Sequence, residues 1–284
     1  ADPRVCLYGA PPQCRRPETR VRACRVGVAF PVEQAVTTSL TVVIPVLNEE
    51  TDLPPSTDRV VEFLTANLDS YDWRVVIVDN GSTDSTPKVG ERLSQTHERV
   101  QYLRLEQRGR GLALRTAWLA SDADVVAYMD VDLSTELEAL PGMVQAVDGG
   151  AYDVAIASRL KRGARVVGRP PLREAISQIY SLMVRMMFWA GIRDYQCGCK
   201  VLSRRTVDDL IPLVADNGWF FDSELLLLAH ANGYRVNEVP VTWTDDPDSR
   251  VRVVSTAYGD IKGLLRLRFG GLRRASRRLD GPNA

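Results

Sequence analysis

Across 284 residues the sequence is 45% apolar and 25% charged, with 36 basic residues balanced by 36 acidic ones. That length and composition support one large or two small globular domains with a sizeable core, and they exclude collagen, coiled coil and wholesale disorder. No window reaches the ~18 consecutive apolar residues that cross a bilayer and no secretory h-region opens the chain, so the protein is expected neither to span a membrane nor to be exported.

Residues 1–39 hold six Arg, three acids, several Pro and three of the five cysteines, with little periodicity, which predicts a disordered leader. Cys197 and Cys199 fall in the globular part and His97 and His230 lie far off in sequence, so neither a disulfide framework nor a zinc site is expected, only buried or semi-buried thiols. From Leu40 the pattern changes. Short apolar runs at Leu40–Pro45, Arg74–Asp79, Val100–Leu105, Val125–Asp130 and Asp153–Ser158 read as buried strands. They alternate with amphipathic stretches around Thr57–Leu68, Ser85–Thr96, Leu112–Ala120 and Glu136–Val147. Alternation of this kind predicts a parallel α/β sheet with crossover helices on both faces, and ligands bind beyond the carboxyl ends of such strands.

A further helical stripe follows, with Ile176, Ile179, Tyr180, Met183, Val184, Met187 and Phe188 at i, i+3, i+4 spacing. It fits either core packing or an interfacial helix flanked by Arg185 and Arg193. Ile261–Leu279 mixes Leu and Phe with basic residues and is the better membrane-surface candidate, although Gly270-Gly271 argues against one continuous helix. Between the basic ends the body is acidic and its aromatics do not cluster on a basic face, which argues against nucleic-acid binding.

Three strand ends carry acidic clusters: P-V-L-N-E-E from Pro45, D-N-G-S-T-D from Asp79, and D-V-D from Asp130. Helix capping accounts for one such cluster at a time, through Ser82, Asp84 or Glu49. Asp130 and Asp132, two apart after an apolar strand, would point the same way if extended. Two such carboxylates suit Mg²⁺ or Mn²⁺ completed by water and phosphate oxygens. G-R-G-L from Gly109 breaks the dinucleotide fingerprint at Leu114, which disfavours a dehydrogenase.

In this order and spacing the three clusters resemble the nucleotide-sugar domain of family 2 glycosyltransferases. E-Q-R-G-R-G-L-A-L-R, D-Y-Q-C-G-C-K, W-F-F-D-S-E and E-V-P-V-T-W resemble dolichyl-phosphate glucose synthases and, less closely, dolichyl-phosphate mannose synthases, over roughly Ser39–Tyr258. The resemblance implies a GT-A type, Rossmann-like, mostly parallel sheet flanked by helices, with a glycosyltransferase domain over 40–258 and a basic amphipathic tail over 259–284. It implies that Pro45, Asn48, Glu49, Asp79 and Gly81 line the base and ribose pocket. Asp130 and Asp132 would hold the metal on the diphosphate, and Arg115 with the Gly109 and Gly111 loop would close over it. Arg108 departs from the Asn common in the family. Arg159, Arg173 and Ser177 match positions that hold a lipid phosphate, and Asp222 stands where a base is expected.

The implied activity is inverting, metal-dependent transfer of a hexose from UDP-glucose or GDP-mannose to a polyprenyl (dolichyl-type) monophosphate, by a protein peripheral on the cytoplasmic face of a membrane. A phosphate monoester with a second pKa near ~6 is ionised enough to attack without a base. Two alternatives stay open: transfer to a soluble hydroxyl acceptor with Asp222 as base, and a non-catalytic nucleotide-sugar-binding or membrane-docking module.

Overall fold

The computed structural model describes residues 37–245 and 253–272. The leader up to residue 36, with Cys6, Cys14 and Cys24, lies outside the described residues, as does the end of the expected tail, residues 273–284. The expected alternation is present from the first strand: β1 (Ser39–Val46), α1 (Leu53–Asn67), β2 (Asp72–Asp79), α2 (Thr86–Thr96), β3 (Val100–Arg104), α3 (Arg110–Ala120) and β4 (Val125–Met129). A short 3₁₀ turn leads into α4 (Leu140–Asp148), then β5 (Val154–Ser158), β6 (Arg165–Val167), α5 (Pro171–Phe188), β7 (Cys199–Ser203), α6 (Arg204–Leu210), α7 (Phe221–Ala231), β8 (Val236–Pro240), β9 (Thr242–Thr244) and α8 (Val253–Arg266).

Seven strands form one sheet in the order β3-β2-β1-β4-β7-β5-β8, and β6 pairs with β9 in a small second sheet. Pairing is parallel except along β7, which runs antiparallel to both β4 and β5. Sequence reading misses β7 because Lys200 interrupts its apolar run, yet Lys200 is fully buried there. Inserting an antiparallel strand brings the residues before it, 194–198, to the edge where the parallel strands end, and this positions much of the site.

Alternation along β1 divides the core in two. Val42 and Ile44 join α1 and α4 on one face, while Val43 joins Leu114, Trp118 and the α7 leucines on the other. Leu225, Leu226, Leu227 and Leu228 are all buried, so α7 is a core helix, apolar around its circumference.

The domain boundary expected at 258/259 falls inside α8. Leu264 and Leu267 are buried in the core, and Arg266 donates to both carboxylate oxygens of Glu224 at 2.8 and 2.6 Å. Residues 259–267 therefore belong to the body, because burial of one face of α8 requires them. The helix breaks where the Gly pair predicts, at Phe269 and Gly270. On α5 the Met/aromatic stripe splits. Val184 is buried and Tyr180, Met183, Met187 and Phe188 pack against the core, whereas Ile176 and Ile179 face outward. Among the described residues no helix is long and apolar enough to cross a membrane.

Candidate active site

Two loops are stitched together at the carboxyl edge of the sheet. After β1, the Asn48 N–H donates to Ser82 Oγ at 2.9 Å, and Asn48 Oδ1 accepts from the Thr83 N–H at 2.7 Å. The Glu49 N–H donates to Thr86 Oγ1 at 2.8 Å, and Glu50 accepts from the Ser85 N–H at 2.8 Å. Asn48 adopts a left-handed backbone (φ 58°) to make this turn, a conformation Asn tolerates. The two loops frame a 250 Å³ cleft lined by Asn48, Glu49, Glu50 and Asp84 among others. Pro45 lies on β1, one residue before its end.

Asp79, expected in the base and ribose pocket, is fully buried. One oxygen accepts from the Ser82 N–H at 2.8 Å and the other from the Tyr102 hydroxyl at 2.7 Å. Burial and this carboxylate push the Tyr102 hydroxyl well above its ordinary range, so it remains a donor. The structure therefore gives Asp79 the work of shaping the turn through Gly81. The next residue, Asn80, reaches the third loop, its Oδ1 accepting from the Gly109 N–H at 2.7 Å.

That third loop opens α3. A side chain at Gly111 would collide with Phe221, its Cβ falling 2.6 Å from the ring-bearing carbon, so only Gly lets α3 approach α7 this closely. Arg115 does not close over the cleft. Its guanidinium donates to the carbonyls of Val214 and Asp216, clamping the loop ahead of α7.

Asp130 and Asp132 follow β4 in a turn closed by the Leu133 N–H on the Asp130 carbonyl at 3.2 Å, so the extended segment expected to point both side chains the same way is not formed. Backbone pairing to Gly198 holds Asp130 instead. Asp132 is exposed and accepts from the Ser134 N–H at 3.0 Å.

Beneath this turn lies a charge network that sequence reading reached only in part. Arg110 donates to Asp130 at 2.7 Å and to Asp222 at 2.5 Å, and its guanidinium lies over the rings of Tyr128 and Trp219 at 4.9 and 5.2 Å. Lys200 approaches Asp222 at 3.0 Å and donates to the Cys197 carbonyl at 2.7 Å, and the Tyr128 hydroxyl donates to Asp222 at 2.6 Å. Burial by itself would raise the Asp222 carboxyl. Lys200, Arg110 and the hydroxyl outweigh it and hold Asp222 below the ordinary carboxylate range. Arg110 lies between the two glycines singled out above and Lys200 ends the D-Y-Q-C-G-C-K motif, but their convergence depends on β7 and was not legible. Cys197 and Cys199 are free and buried, with burial pushing their thiols up to about 11 and about 12.

The three residues matched to a lipid phosphate are all engaged with protein. Arg159 forms a fork on Asp194 at 2.8 and 2.9 Å. Burial opposes ionisation of Asp194, but Arg159 prevails and holds it at about 2. Arg173 donates to Asp245 at 3.3 Å, and Ser177 accepts from Arg169 at 2.7 Å. Arg169, missed in the sequence, shares the Trp243 ring with Arg159.

As for a divalent cation, no cluster of three or more His, Cys, Asp or Glu ligands occurs among the described residues. Asp130 and Asp132 offer only hard oxygen donors on one turn, and Asp132 faces solvent. This donor set fits an ion such as Mg²⁺ or Mn²⁺ that takes its remaining ligands from water and a diphosphate.

Comparison with known proteins follows the same loops. The Glycosyl transferase family 2 model matches residues 41–211. Glycosyltransferase AglD of Haloferax volcanii is 35% identical over 228 residues, 80% of this chain and 36% of that protein, so the chain spans about a third of its length. Dolichyl-phosphate beta-glucosyltransferase of Drosophila melanogaster is 31% identical over 79% of this chain and 73% of its own length. The crystal structure of glucosyl-3-phosphoglycerate synthase from Mycobacterium tuberculosis with Mn²⁺, UDP-glucose and phosphoglyceric acid superposes with a TM-score of 0.60. It covers 82% of this chain and 80% of that one at 18% identity, a likeness of fold. Since the family match runs from β1 through α6 and takes in the Asn48, Asp79 and Asp130 loops, the chain belongs to glycosyl transferase family 2 and has its GT-A fold.

Proposed function

We propose that the protein is an inverting, metal-dependent enzyme that moves a hexose, glucose ahead of mannose, from a nucleotide sugar to a polyprenyl monophosphate at a membrane surface. The observation that carries this reading is the state of Asp222. Only 2% exposed, bound to two cations and a hydroxyl, and held below the ordinary carboxylate range, it is unsuited to removing a proton from a hydroxyl acceptor. A phosphate acceptor needs no such base. This disfavours the soluble hydroxyl acceptor with Asp222 as base, and relatives named dolichyl-phosphate beta-glucosyltransferase support a lipid phosphate and glucose.

In this mechanism the Asn48 and Asp84 loops orient the nucleotide, and an acceptor phosphate oxygen attacks the anomeric carbon on the face opposite the leaving group. The bond from that carbon to the diphosphate oxygen breaks, and the nucleoside diphosphate leaves with the electron pair. Asp130 and Asp132 would hold the divalent cation, which when bound offsets the diphosphate charge. Arg110, fixed by Asp222 and the two rings, keeps Asp130 in place. Exposed apolar residues on α5, on α8 and at the break that follows α8, among them Ile179, Met186, Tyr258 and Phe269, support action at a bilayer surface.

The test is transfer of radiolabelled sugar from UDP-glucose and, separately, GDP-mannose into organic-extractable polyprenyl phosphate, with Mg²⁺ or Mn²⁺ and with EDTA. Metal-dependent label from one donor is expected, and Asp132→Ala should abolish it while leaving Tm within about 2 °C, since the side chain is exposed. Nucleotide binding without label in the lipid phase from either donor would overturn the reading.

A further inference from the structure

Arg110 bridges the Asp130 turn and α7. Its guanidinium donates to Asp130 Oδ1 at 2.7 Å and to Asp222 Oδ2 at 2.5 Å, and it is further confined by the rings of Tyr128 and Trp219. Asp222 is in turn met by Lys200 at 3.0 Å. Two cations therefore face two carboxylates, and the network is neutral with no metal in it. The charge on Arg110 is permanent, because a guanidinium does not deprotonate in a protein.

Both oxygens of Asp130 are engaged. Oδ1 takes Arg110, and Oδ2 fills the space beside Gly198, 1.6 Å from where a Cβ on that residue would stand. A cation that takes Asp130 as a ligand shares the carboxylate with a fixed positive charge. The Arg110 side chain is only 10% exposed, so solvent and salt screen the repulsion poorly. Among the described residues no group of three or more His, Cys, Asp or Glu is placed to offset it. The negative charge that remains available is the diphosphate of the donor, and small hard cations characteristically combine one or two carboxylates with substrate phosphates.

We propose that Arg110 makes uptake of the divalent cation conditional on the donor: the neutral network rejects the free ion, and ion and diphosphate are bound together. In the empty site the same guanidinium stands in for the metal, holding the Asp130 turn against α7. The inference rests on Asp130 and Asp132 as the cation's ligands in the function proposed above, and it concerns the affinity for the cation, not the transfer step.

Mn²⁺ binding followed by electron paramagnetic resonance, with and without UDP and with no acceptor present, tests this apart from turnover. Wild type should bind free Mn²⁺ weakly and gain about 10- to 100-fold in affinity when UDP is added, with UDP gaining the same factor from Mn²⁺. Arg110→Gln should bind free Mn²⁺ about 10-fold more tightly than wild type and lose most of the gain from UDP. Arg110→Lys keeps the charge and should behave as wild type. If Arg110 served only to support Asp130, Arg110→Gln would bind free Mn²⁺ more weakly; that result, or an unchanged affinity, would overturn the proposal. Arg110→Lys behaving like Arg110→Gln would overturn it as well. Should Arg110→Gln fail to fold, the wild type decides, since free Mn²⁺ bound as tightly as Mn²⁺ with UDP refutes the coupling. A protein that couples Mn²⁺ and UDP through Arg110 yet transfers no sugar would sustain the inference and refute the proposed reaction.

Discussion

Asp222→Asn bears most directly on the electrostatics of the site. In the folded protein Asp222 faces Arg110 at 2.5 Å, Lys200 at 3.0 Å and the Tyr128 hydroxyl at 2.6 Å. With Asp130 the network holds two cations and two carboxylates. The substitution keeps the shape and an acceptor for Tyr128 but leaves the two cations with one carboxylate, itself partly exposed. Stranding a buried charge in this way costs about 3–5 kcal/mol. For a domain of this size that lowers Tm by roughly 6–20 °C. A carboxylate whose folded-state pKa is depressed contributes its stability above the unfolded-state pKa and loses it as pH falls through the folded value. The deficit should therefore be complete at pH 7 and shrink below about pH 4. Lys200→Met creates the opposite imbalance, and Asp222→Asn/Lys200→Met restores parity. The double variant should thus lose about 1–3 kcal/mol less than the two single losses combined. Urea unfolding followed by tryptophan fluorescence, with calorimetry at pH 7 and pH 4, measures all of these. Strictly additive losses, or an Asp222→Asn protein within about 0.5 kcal/mol of wild type, would refute the reasoning. Lost turnover at unchanged Tm would restore Asp222 as the base.

Two further outcomes follow from the geometry. A Cβ at Gly198 would lie 1.6 Å from Asp130 Oδ2, so Gly198→Ala must displace that carboxylate. Transfer should fall by about 100-fold with a raised divalent-cation requirement, and wild-type kcat/KM in this variant would argue against Asp130 at the reacting centre. Asp260 on α8 is buried, with Oδ1 unpartnered and Oδ2 accepting from Gln196 at 2.8 Å, and burial pushes its carboxyl up to about 7. A carboxyl raised in the folded state contributes stability below its unfolded-state pKa and loses it as pH rises through the folded value. Asp260→Asn should therefore raise Tm at pH 8, by roughly 1–4 kcal/mol of stability, and change it little at pH 4. Equal shifts at both pH values in a thermal scan would contradict this.

Much of the molecule was legible because local pattern and burial coincide. The strands β1, β4 and β5 were readable because residues buried on both faces must be apolar without alternation, β2 and the edge strand β3 by their shorter apolar runs, and α1 to α4 because one face of each must be apolar. The loops that carry Asn48, Gly81 and Asp130 were fixed in place by the same strands, since a parallel sheet delivers every loop that follows a strand to one edge. The break at Gly270 was likewise local, a matter of backbone freedom. Partner choice depends on distance in space and was not legible. Alternation along an extended segment predicted Asp130 and Asp132 side by side, but the two sit on a turn whose first residue pairs with Gly198. Arg115, Arg159 and Arg173 matched ligand-binding positions in sequence, yet the fold supplied each with protein acceptors. The burial of Lys200 in β7, and hence the Arg110–Asp222–Lys200 network, required an antiparallel strand inserted between two parallel ones. A chain encodes its elements residue by residue, but the cost of burying a charge is met by the opposite charges and hydrogen-bond donors that the tertiary fold brings within about 3 Å.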